Sequence, residues 1–497
     1  MSRHYEVVVV GGNTAAVVAA ALLAKRGLRG LLIDQGELAS TDANLLPDLV
    51  LSDEASPVMR HVHSELGIVD QVSKRTRVDR PLLQAIYPDQ RFDLFVDPIE
   101  RQREVERVFG SKCNAALAIT TTQISNGEAE AGLFLEEASE LPATGFFGRR
   151  ASASAQRKHE SLGRTMSVGA ATDDLPVELT EIFVAMLPFL GYFDARSPTD
   201  VTMARFSRLT ARFMRGLFGL PDRRPLRELF LSVAEQRAFE VIRTAVESID
   251  PSGKVVNLTA AGQRDPITAD AVIDASWDLS GLDTIPHKRQ KKDLALTLQN
   301  AKPRGFLHAL GIEVDAAVLP PGMAEHLLLL NGRRDPDRVD AEDPDSADRA
   351  IWISQRPGHA SERVQLVAAQ AVSSVRAHAQ GTDELEEVMR ARIERLAPFL
   401  MDGAPEFSSL TGRGATKSER SLLTHPLYDP ELDPVLGLTG ISMRTPYKQL
   451  FCAGPAVLPG LGAEGAYLSA LQAADATETL LKKTKRPKTL GARLKAG

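Results

Sequence analysis

The feature that most constrains the fold of this chain is the order of residue types in its first 34 residues. Residues 5–10 are rich in β-branched side chains, the pattern of a strand buried in a parallel sheet. Two glycines at 11 and 12 then predict a tight turn, and an alanine-rich helix follows to about residue 26. Residues 31–34 predict a second strand that ends on a carboxylate. This is a β-α-β unit, whose usual right-handed crossover puts the two strands side by side and parallel.

The turn between that strand and helix has the geometry of a dinucleotide-binding site. A helix start offers unpaired N–H groups and the positive end of the helix dipole to a pyrophosphate. A carboxylate about 20 residues further on accepts hydrogen bonds from a ribose. The three glycine positions of the fingerprint are held by Gly11, Asn13 and Ala16, so the turn alone leaves a cofactor site and a purely structural unit open. The predicted cofactor contacts here are Gly11, Gly12, Asn13, Thr14, Ala15 and Asp34.

A second glycine-rich segment lies near the C-terminus. Residues 449–454 predict a strand, and the loop 459–466 leads into a helix that runs to about residue 481. This loop places backbone N–H groups at a second helix start. Two such helix starts at opposite ends of one chain predict that a large dinucleotide is held between them. The predicted contacts on this side are Gly454, Leu461, Gly462, Gly465 and Ala466.

The order of these elements resembles the FAD-dependent oxidoreductases of the glutathione-reductase type, in particular the phytoene desaturase and carotenoid isomerase branch. The closest similarity is in residues 444–474, which resemble the segment of that branch that closes over FAD. Residues 239–249 look like the strand pair that meets the adenine side, which adds Val241 to the contacts implied by the resemblance. Residues 269–275 look like the strand that returns to the cofactor sheet. The resemblance implies FAD as cofactor and an apolar substrate such as an isoprenoid, with the flavin accepting hydride or electrons.

The predicted fold class is α/β, a Rossmann-like doubly wound FAD-binding domain with an inserted α+β substrate domain. The FAD-binding domain is assigned residues 1–110, 232–285 and 440–482. The substrate domain is assigned residues 111–231 and 286–439, and residues 483–497 are expected to be a frayed basic tail.

Four segments are expected to form one sheet, namely residues 5–10, 31–34, 267–275 and 450–453. Elsewhere, residues 148–164 have the polar composition of a loop, and residues 365–399 have the pattern of one or two helices.

Two departures from the family pattern affect the cofactor. Asn13 places a side chain where backbone should approach the phosphates. The family has an Arg-x-Gly-Gly-Arg-like segment soon after the acidic residue, whereas residues 35–43 contain no arginine and no paired glycine. Losing one bidentate arginine contact costs about 1.5–3 kcal/mol. The predicted cofactor is therefore FAD, with weak or absent binding left open as an alternative.

These departures keep other functions open beside an FAD-dependent oxidoreductase. One is a non-catalytic protein of the same fold that binds a lipid or a protein partner, as the Rab GDP-dissociation inhibitors do. Another is a flavoprotein that acts on a small amine or acid. No residue is assigned as a catalytic acid or base.

Composition excludes several other classes. Lys+Arg 59 against Asp+Glu 65 gives a net charge of −6, so nucleic-acid binding is not expected. Cys113 and Cys452 are the only cysteines, which favours a reducing compartment, and Cys452 is expected to be a small buried apolar residue. No metal site is expected, and the closest pair of possible ligands, His61 and His63, is assigned to the surface. No apolar run reaches the about 20 residues that span a bilayer. The chain is therefore expected to be cytoplasmic or peripheral to a membrane.

One predicted helix is a candidate membrane contact. It carries an arginine stripe at Arg205, Arg208, Arg212 and Arg215. The neighbouring stripe is apolar and consists of Phe206, Leu209, Phe213 and Leu217. Such a pair of stripes suits an anionic membrane surface through which an apolar substrate enters. The alternative is a core-packing helix whose arginines are solvated or paired with Glu228 and other acids.

Overall fold

The structure is a computed structural model of the chain. It describes residues 3–35, 49–51, 56–75, 80–110, 141–143, 145–157, 167–168, 176–193, 201–219, 224–237, 239–276, 279–286, 288, 294, 303–330, 349–357, 362–373, 382–410, 425–428 and 440–485. Their strands are β1 (Arg3–Val10), β2 (Gly30–Asp34), β3 (Leu49–Leu51), β4 (Leu83–Ile86), β5 (Arg91–Leu94), β6 (Leu217–Gly219), β7 (Phe239–Arg243), β8 (Val246–Asp250), β9 (Val256–Ala260), β10 (Ile267–Asp274), β11 (Gly305–Asp315), β12 (His326–Leu329), β13 (Ile351–Pro357), β14 (Arg363–Ser373), β15 (Glu406–Ser409), β16 (His425–Leu427) and β17 (Leu450–Cys452). Their α-helices are α1 (Thr14–Lys25), α2 (Pro57–Leu66), α3 (Val69–Ser73), α4 (Pro98–Phe109), α5 (Gly145–Arg157), α6 (Val177–Gly191), α7 (Met203–Gly216), α8 (Arg224–Glu235), α9 (Ser280–Asp283), α10 (Thr382–Leu396) and α11 (Gly462–Lys485).

The first sheet contains all four segments that the sequence assigns to one sheet. Its spatial order is β7-β2-β1-β10-β9-β8, and β17 pairs with β10. The strands β7, β2, β1, β10 and β17 are parallel, whereas β8 and β9 form an antiparallel pair that continues from β10. The predicted fold class, a Rossmann-like α/β domain with a second inserted domain, is confirmed by this topology.

The helix α1 lies in the centre of the molecule, and this places the first glycine turn there too. Every residue from 15 to 24 is buried. The helix packs against β1 and β2 and against α2, α8 and α11. Because none of its faces meets water, it needs no polar stripe, which explains its run of alanine, valine and leucine. Gly27, at φ +83°, follows the end of the helix in the left-handed conformation that glycine adopts without strain.

The second sheet has the order β15-β11-β14-β13-β12-β4-β5, with β16 paired to β11. Its neighbours are antiparallel except for β4 and β12, which are parallel. Met389 and Ile393 of α10 are buried in the apolar core that this sheet forms with the helix. The strands β4 and β5 belong to this second sheet, although the sequence assigns residues 1–110 to the first domain, and that assignment stays a prediction. The other predicted domain boundaries stay predictions.

Two local predictions are wrong. Residues 148–157 belong to the helix α5 rather than to a loop, and residues 158–164 lie outside the described residues. Within residues 365–399, the first part is the strand β14, and α10 is the α-helix among the described residues. The error at β14 has a physical reason. Residues 366–372 are buried without a break, and a continuous apolar run suits a central strand and a buried helix equally well.

Candidate functional site

The first glycine turn lies where β1, α1 and the end of β10 meet. Gly11 has φ +135°, and a Cβ at this position would overlap the carbonyl oxygen of Ala275, so only glycine fits. Within the described part of the chain, the backbone N–H groups of Gly12, Thr14 and Ala15 donate no hydrogen bond. These N–H groups at the start of α1 are the part of the turn that suits an anion.

Asn13 fills the second glycine position with a side chain that is bonded at both ends. Its Oδ1 accepts a hydrogen bond from the Ala16 N–H at 3.1 Å and so caps α1. Its Nδ2 donates to the carbonyl oxygen of Ala275 at 2.7 Å. Gly454 of the C-terminal segment approaches the same group, since a Cβ there would lie 3.6 Å from Asn13 Nδ2. The two glycine segments therefore meet across a buried side chain of the protein itself.

Asp34, the predicted ribose ligand, is paired with an arginine from α8. Arg227 Nη2 donates to Asp34 Oδ2 at 2.6 Å, and Arg227 Nε donates to the carbonyl oxygen of Gly12 at 3.4 Å. The Asp34 side chain is 1% exposed and the Arg227 side chain 22%. Arg227 therefore bridges β2 and the glycine turn, and it covers the carboxylate. Sequence reasoning missed this residue because 193 positions separate it from Asp34 and no motif surrounds it.

The C-terminal glycine loop is closed by backbone contacts with the end of α6. The Gly460 N–H donates to the carbonyl oxygen of Gly191 at 2.6 Å. A Cβ on Gly462, which has φ +57°, would overlap the carbonyl oxygen of Leu190. Every predicted contact on this side is buried, namely Gly454, Leu461, Gly462, Gly465 and Ala466.

Three arginines of α7 point inward, which agrees with the core-packing alternative for this helix. Arg205, Arg208 and Arg212 are 1%, 1% and 4% exposed. Arg205 lies over the ring of Phe193, with its guanidinium carbon 4.5 Å from the ring centroid. Arg212 Nε lies 3.0 Å from Glu464 Oε2 at the start of α11. The core-packing interpretation of the helix is therefore the correct one for these three side chains, and the acid is Glu464 rather than the exposed Glu228.

Two residues of the α7 stripes, Phe206 and Leu209, are buried as well. The side chains of Arg215, Phe213 and Leu217 lie outside the described part of the structure. Membrane binding by the chain stays a prediction, but Arg205, Arg208 and Arg212 are not available for it in this conformation.

A buried polar cluster connects α2 to α11. Ser56 Oγ donates to Glu464 Oε1 at 2.7 Å, and His63 Nε2 lies 3.2 Å from Tyr467 Oη. The surface assignment of His63 is therefore wrong, whereas the side chain of His61 is exposed. Among the residues that the structure describes, no three His, Cys, Asp or Glu side chains form a group that could hold a metal ion.

The remaining predicted residues lie near the site without adding a reactive group. Val241 is half-buried in β7, paired with Leu32 of the strand that carries Asp34. Cys452 is fully buried in β17, as predicted. Burial raises the pKa of the Cys452 thiol well above its usual value, and the negative charge of Asp274 raises it further. The thiol is therefore protonated and inert in the folded protein.

Comparison with known proteins identifies the fold. No protein-family model matches the sequence, and the curated proteins give no match either. A solved oxidoreductase from Methanosarcina mazei shares 11% identity at a TM-score of 0.57, over 94% of this chain and 99% of that one. A cofactor-binding variant of putrescine oxidase shares 14% identity at 0.57, over 97% and 100%. Cyclohexylamine oxidase from Brevibacterium oxydans shares 11% identity at a TM-score of 0.54, over 97% of this chain and 100% of that one.

The two amine oxidases are FAD-binding flavoenzymes. This chain has their fold. At such low identities the likeness extends to the fold alone. Activity as an FAD-dependent oxidoreductase and the narrower resemblance to phytoene desaturases therefore both stay predictions.

The two glycine segments and Asp34, together called the dinucleotide cradle, do not fit a bound FAD as they stand. Arg227 covers Asp34, the carboxylate expected to bind the ribose. The amide of Asn13 fills the point where the two glycine segments converge, and the backbone of α6 closes the C-terminal loop. The free N–H groups at the start of α1 are what remains of an anion site. No helix within the described residues is long and apolar enough to cross a membrane.

Proposed function

We propose that this chain is a protein of the flavoprotein-oxidase fold that works without a resident FAD, as a binding protein for a lipid or a protein partner. The observation that carries the proposal is the ion pair between Arg227 and Asp34, because it occupies the carboxylate on which ribose recognition depends. Asn13 supports it independently, since its side chain is bonded within the protein at both ends.

The free-energy cost of opening this cradle explains why a cofactor would bind weakly. A ribose must displace Arg227, and breaking a buried ion pair costs about 3–5 kcal/mol when one partner is simply removed. Because Arg227 is 22% exposed and can find water, the cost here is smaller. Displacing Asn13 adds two hydrogen bonds of about 0.5–1.5 kcal/mol each. A total of about 3 kcal/mol lowers affinity about a hundredfold.

The flavin content of the purified protein tests the proposal. We expect no flavin absorbance in the visible range from the purified protein, and a rise in unfolding temperature only at high concentrations of added FAD, because stabilisation depends on how far the ligand concentration exceeds the dissociation constant. Stoichiometric flavin in the parent protein would overturn the proposal.

A matched variant sharpens that test. Asn13→Gly combined with Arg227→Met removes both side-chain obstacles, and we expect it to bind FAD about tenfold or more tightly than the parent. Arg237→Met, which changes an exposed arginine just after α8, is the control and should behave as the parent. If the parent binds FAD and the double variant loses it, Arg227 is a cofactor ligand rather than an obstacle.

A second candidate function, an FAD-dependent oxidoreductase, is favoured by the unpaired N–H groups at the start of α1 and by the fold of the amine oxidases. The sequence resemblance suggests an apolar substrate such as an isoprenoid, and the neighbours suggest a small amine such as putrescine or cyclohexylamine. Anaerobic mixing of FAD-loaded protein with each substrate would decide the matter, because turnover bleaches the oxidised flavin. Bleaching with any of them would favour this candidate over the first.

A further inference from the structure

The helix α5 exposes two adjacent aromatic side chains. Phe146 is 71% and Phe147 83% exposed, and their ring centroids lie 5.5 Å apart in an edge-to-face arrangement. Elsewhere in the described residues, only Ile99, at 63%, is a large apolar side chain that is similarly exposed. Single apolar residues on a surface need no explanation, whereas a contiguous aromatic pair marks a surface that a partner covers.

Positive charge surrounds this aromatic pair. Arg149 and Arg150 are exposed, and neither forms an ion pair with another described residue. Arg150 stands one helical turn after Phe146, so aromatic and cationic side chains share one face of α5. The sequence from 145 to 158 also contains Arg157 and Lys158 and no acidic residue.

We propose that α5 is the site at which this protein docks on an anionic lipid bilayer. Phe146 and Phe147 enter the interfacial layer, and Arg149 and Arg150 meet the lipid phosphates. Charge selects this occupant. The whole chain has a net charge of −6, yet the sequence of α5 contains three arginines and no acidic residue. A second copy of the chain would bring two such segments together, and their repulsion opposes a symmetric dimer through α5.

The geometry suits an interfacial helix rather than a spanning one. The helix has 13 residues, too short to cross a bilayer, and its aromatic residues are concentrated in its first turn. Arginine stems can extend from that turn to the phosphate layer while the rings lie deeper. The site is distinct from α7, whose described arginines are buried.

Vesicle flotation of the parent protein and of two double variants tests the proposal. We expect the parent protein to float with vesicles of phosphatidylcholine and phosphatidylserine and to stay unbound with phosphatidylcholine alone. Arg149→Gln with Arg150→Gln should lower partition to anionic vesicles about 25-fold, at about fivefold for each arginine near the surface. Phe146→Ser with Phe147→Ser should lower it about tenfold or more.

A matched control separates this site from general surface apolarity. Ile99→Ser changes another exposed apolar residue, which lies in α4 between the acids Asp97 and Glu100, and it should float as the parent does. Because every changed side chain is exposed, all variants should keep the parent's unfolding temperature, which makes a loss of flotation a loss of binding.

The proposal would be overturned if the parent protein failed to float with anionic vesicles. It would also be overturned if the double variant Phe146→Ser with Phe147→Ser floated as well as the parent. Light scattering, which measures the oligomeric state, tests the alternative occupant. If the parent is a dimer that does not float with vesicles, and the double variant Phe146→Ser with Phe147→Ser is a monomer, the surface binds a second copy of the chain instead. The assay involves no flavin, so its result is independent of whether the cradle binds FAD.

Discussion

The two glycine segments that the sequence pairs as halves of one cofactor site are closed in different ways. At the N-terminal turn, the side chains of Asn13 and Arg227 occupy the space. At the C-terminal loop, the backbone of Gly460 and Gly462 meets the backbone at the end of α6. Side chains rotate or can be shortened by one substitution, whereas a backbone contact opens only if α6 moves. The N-terminal closure is thus the one that a ligand could reverse.

The largest effect is expected where the closure is made of backbone. Gly462→Ala should destabilise the protein by about 3 kcal/mol or more, because the new Cβ overlaps the carbonyl oxygen of Leu190 and the residue has φ +57°. Urea unfolding measures the change. Gly262→Ala is the control, since Gly262 also has a positive φ, +73°, with nothing within 4 Å of its Cβ position. Its cost should be about 1 kcal/mol. Equal costs for the two variants would contradict the backbone closure.

An intermediate effect is expected at the ion pair of the N-terminal closure. Asp34→Asn should cost about 2–3 kcal/mol of unfolding free energy, because it leaves Arg227 largely buried beside a neutral amide. When Arg227 has already been changed to Met, Asp34→Asn should cost less unfolding free energy, because no buried cation is then left without its partner. A double-mutant cycle by urea unfolding measures that coupling.

The exposed pair of Arg3 with Glu240 provides the control for this cycle. Its side chains are 64% and 45% exposed, so Arg3→Gln should change stability by only about 0.5 kcal/mol or less. Additive costs of Asp34→Asn and Arg227→Met would mean that the pair does not form in solution.

A smaller effect is expected at Asn13. Asn13→Gly keeps an acceptable residue at the helix N-cap, which costs only a few tenths of a kcal/mol. It also removes the buried hydrogen bond to the carbonyl oxygen of Ala275, for a total cost of about 1 kcal/mol. Asn13→Asp keeps the cap but loses the donor, so it should be at least as destabilising. A more stable aspartate variant, again by urea unfolding, would show that the bond to Ala275 contributes nothing.

No effect is expected on the thiol reactivity of Cys452, in the C-terminal segment, when Arg227→Met opens the N-terminal closure. In a Cys113→Ser background, Cys452 is the only thiol. Because its pKa is raised by burial and by Asp274, mildly alkaline pH should not produce the reactive thiolate in the folded state. Labelling by a thiol reagent should be slow in the parent and unchanged by Arg227→Met. Faster labelling in that variant would show that the two closures open together.

The sequence was informative wherever a local pattern decides the structure. A β-branched strand, a glycine turn and an alanine-rich helix are legible in the first 34 residues, and the four predicted strands of the first sheet are all there. Residues 366–372 were misassigned because burial on both faces erases the alternation that separates a strand from a helix.

The site itself depended on residues that are distant in sequence. The arginine stripe of α7 has the same spacing whether it faces lipid or the protein core. Its burial depends on distant residues, such as Phe193 beside Arg205 and Glu464 beside Arg212. Arg227, in the helix α8, carries no local signal, because its partner Asp34 lies at the end of β2, 193 positions earlier in the chain. The departure at Asn13 was visible from the sequence, but its second hydrogen bond, to Ala275, required the fold.

The position of β17 in the first sheet also bears on how the chain is made. Residues Val272–Asp274 of β10 pair with Leu450–Cys452, which lie about 175 residues further along. At a synthesis rate of about 5–20 residues per second, the ribosome needs roughly 10–35 s to supply this last strand. Throughout that interval residues 272–274 of β10 lack their partner on one edge, although β9 already pairs with residues 267–269. The helix α1 also lacks the packing of α11. The first sheet is therefore completed only after β17 has been synthesised, and until then the open edge is where a chaperone would be needed.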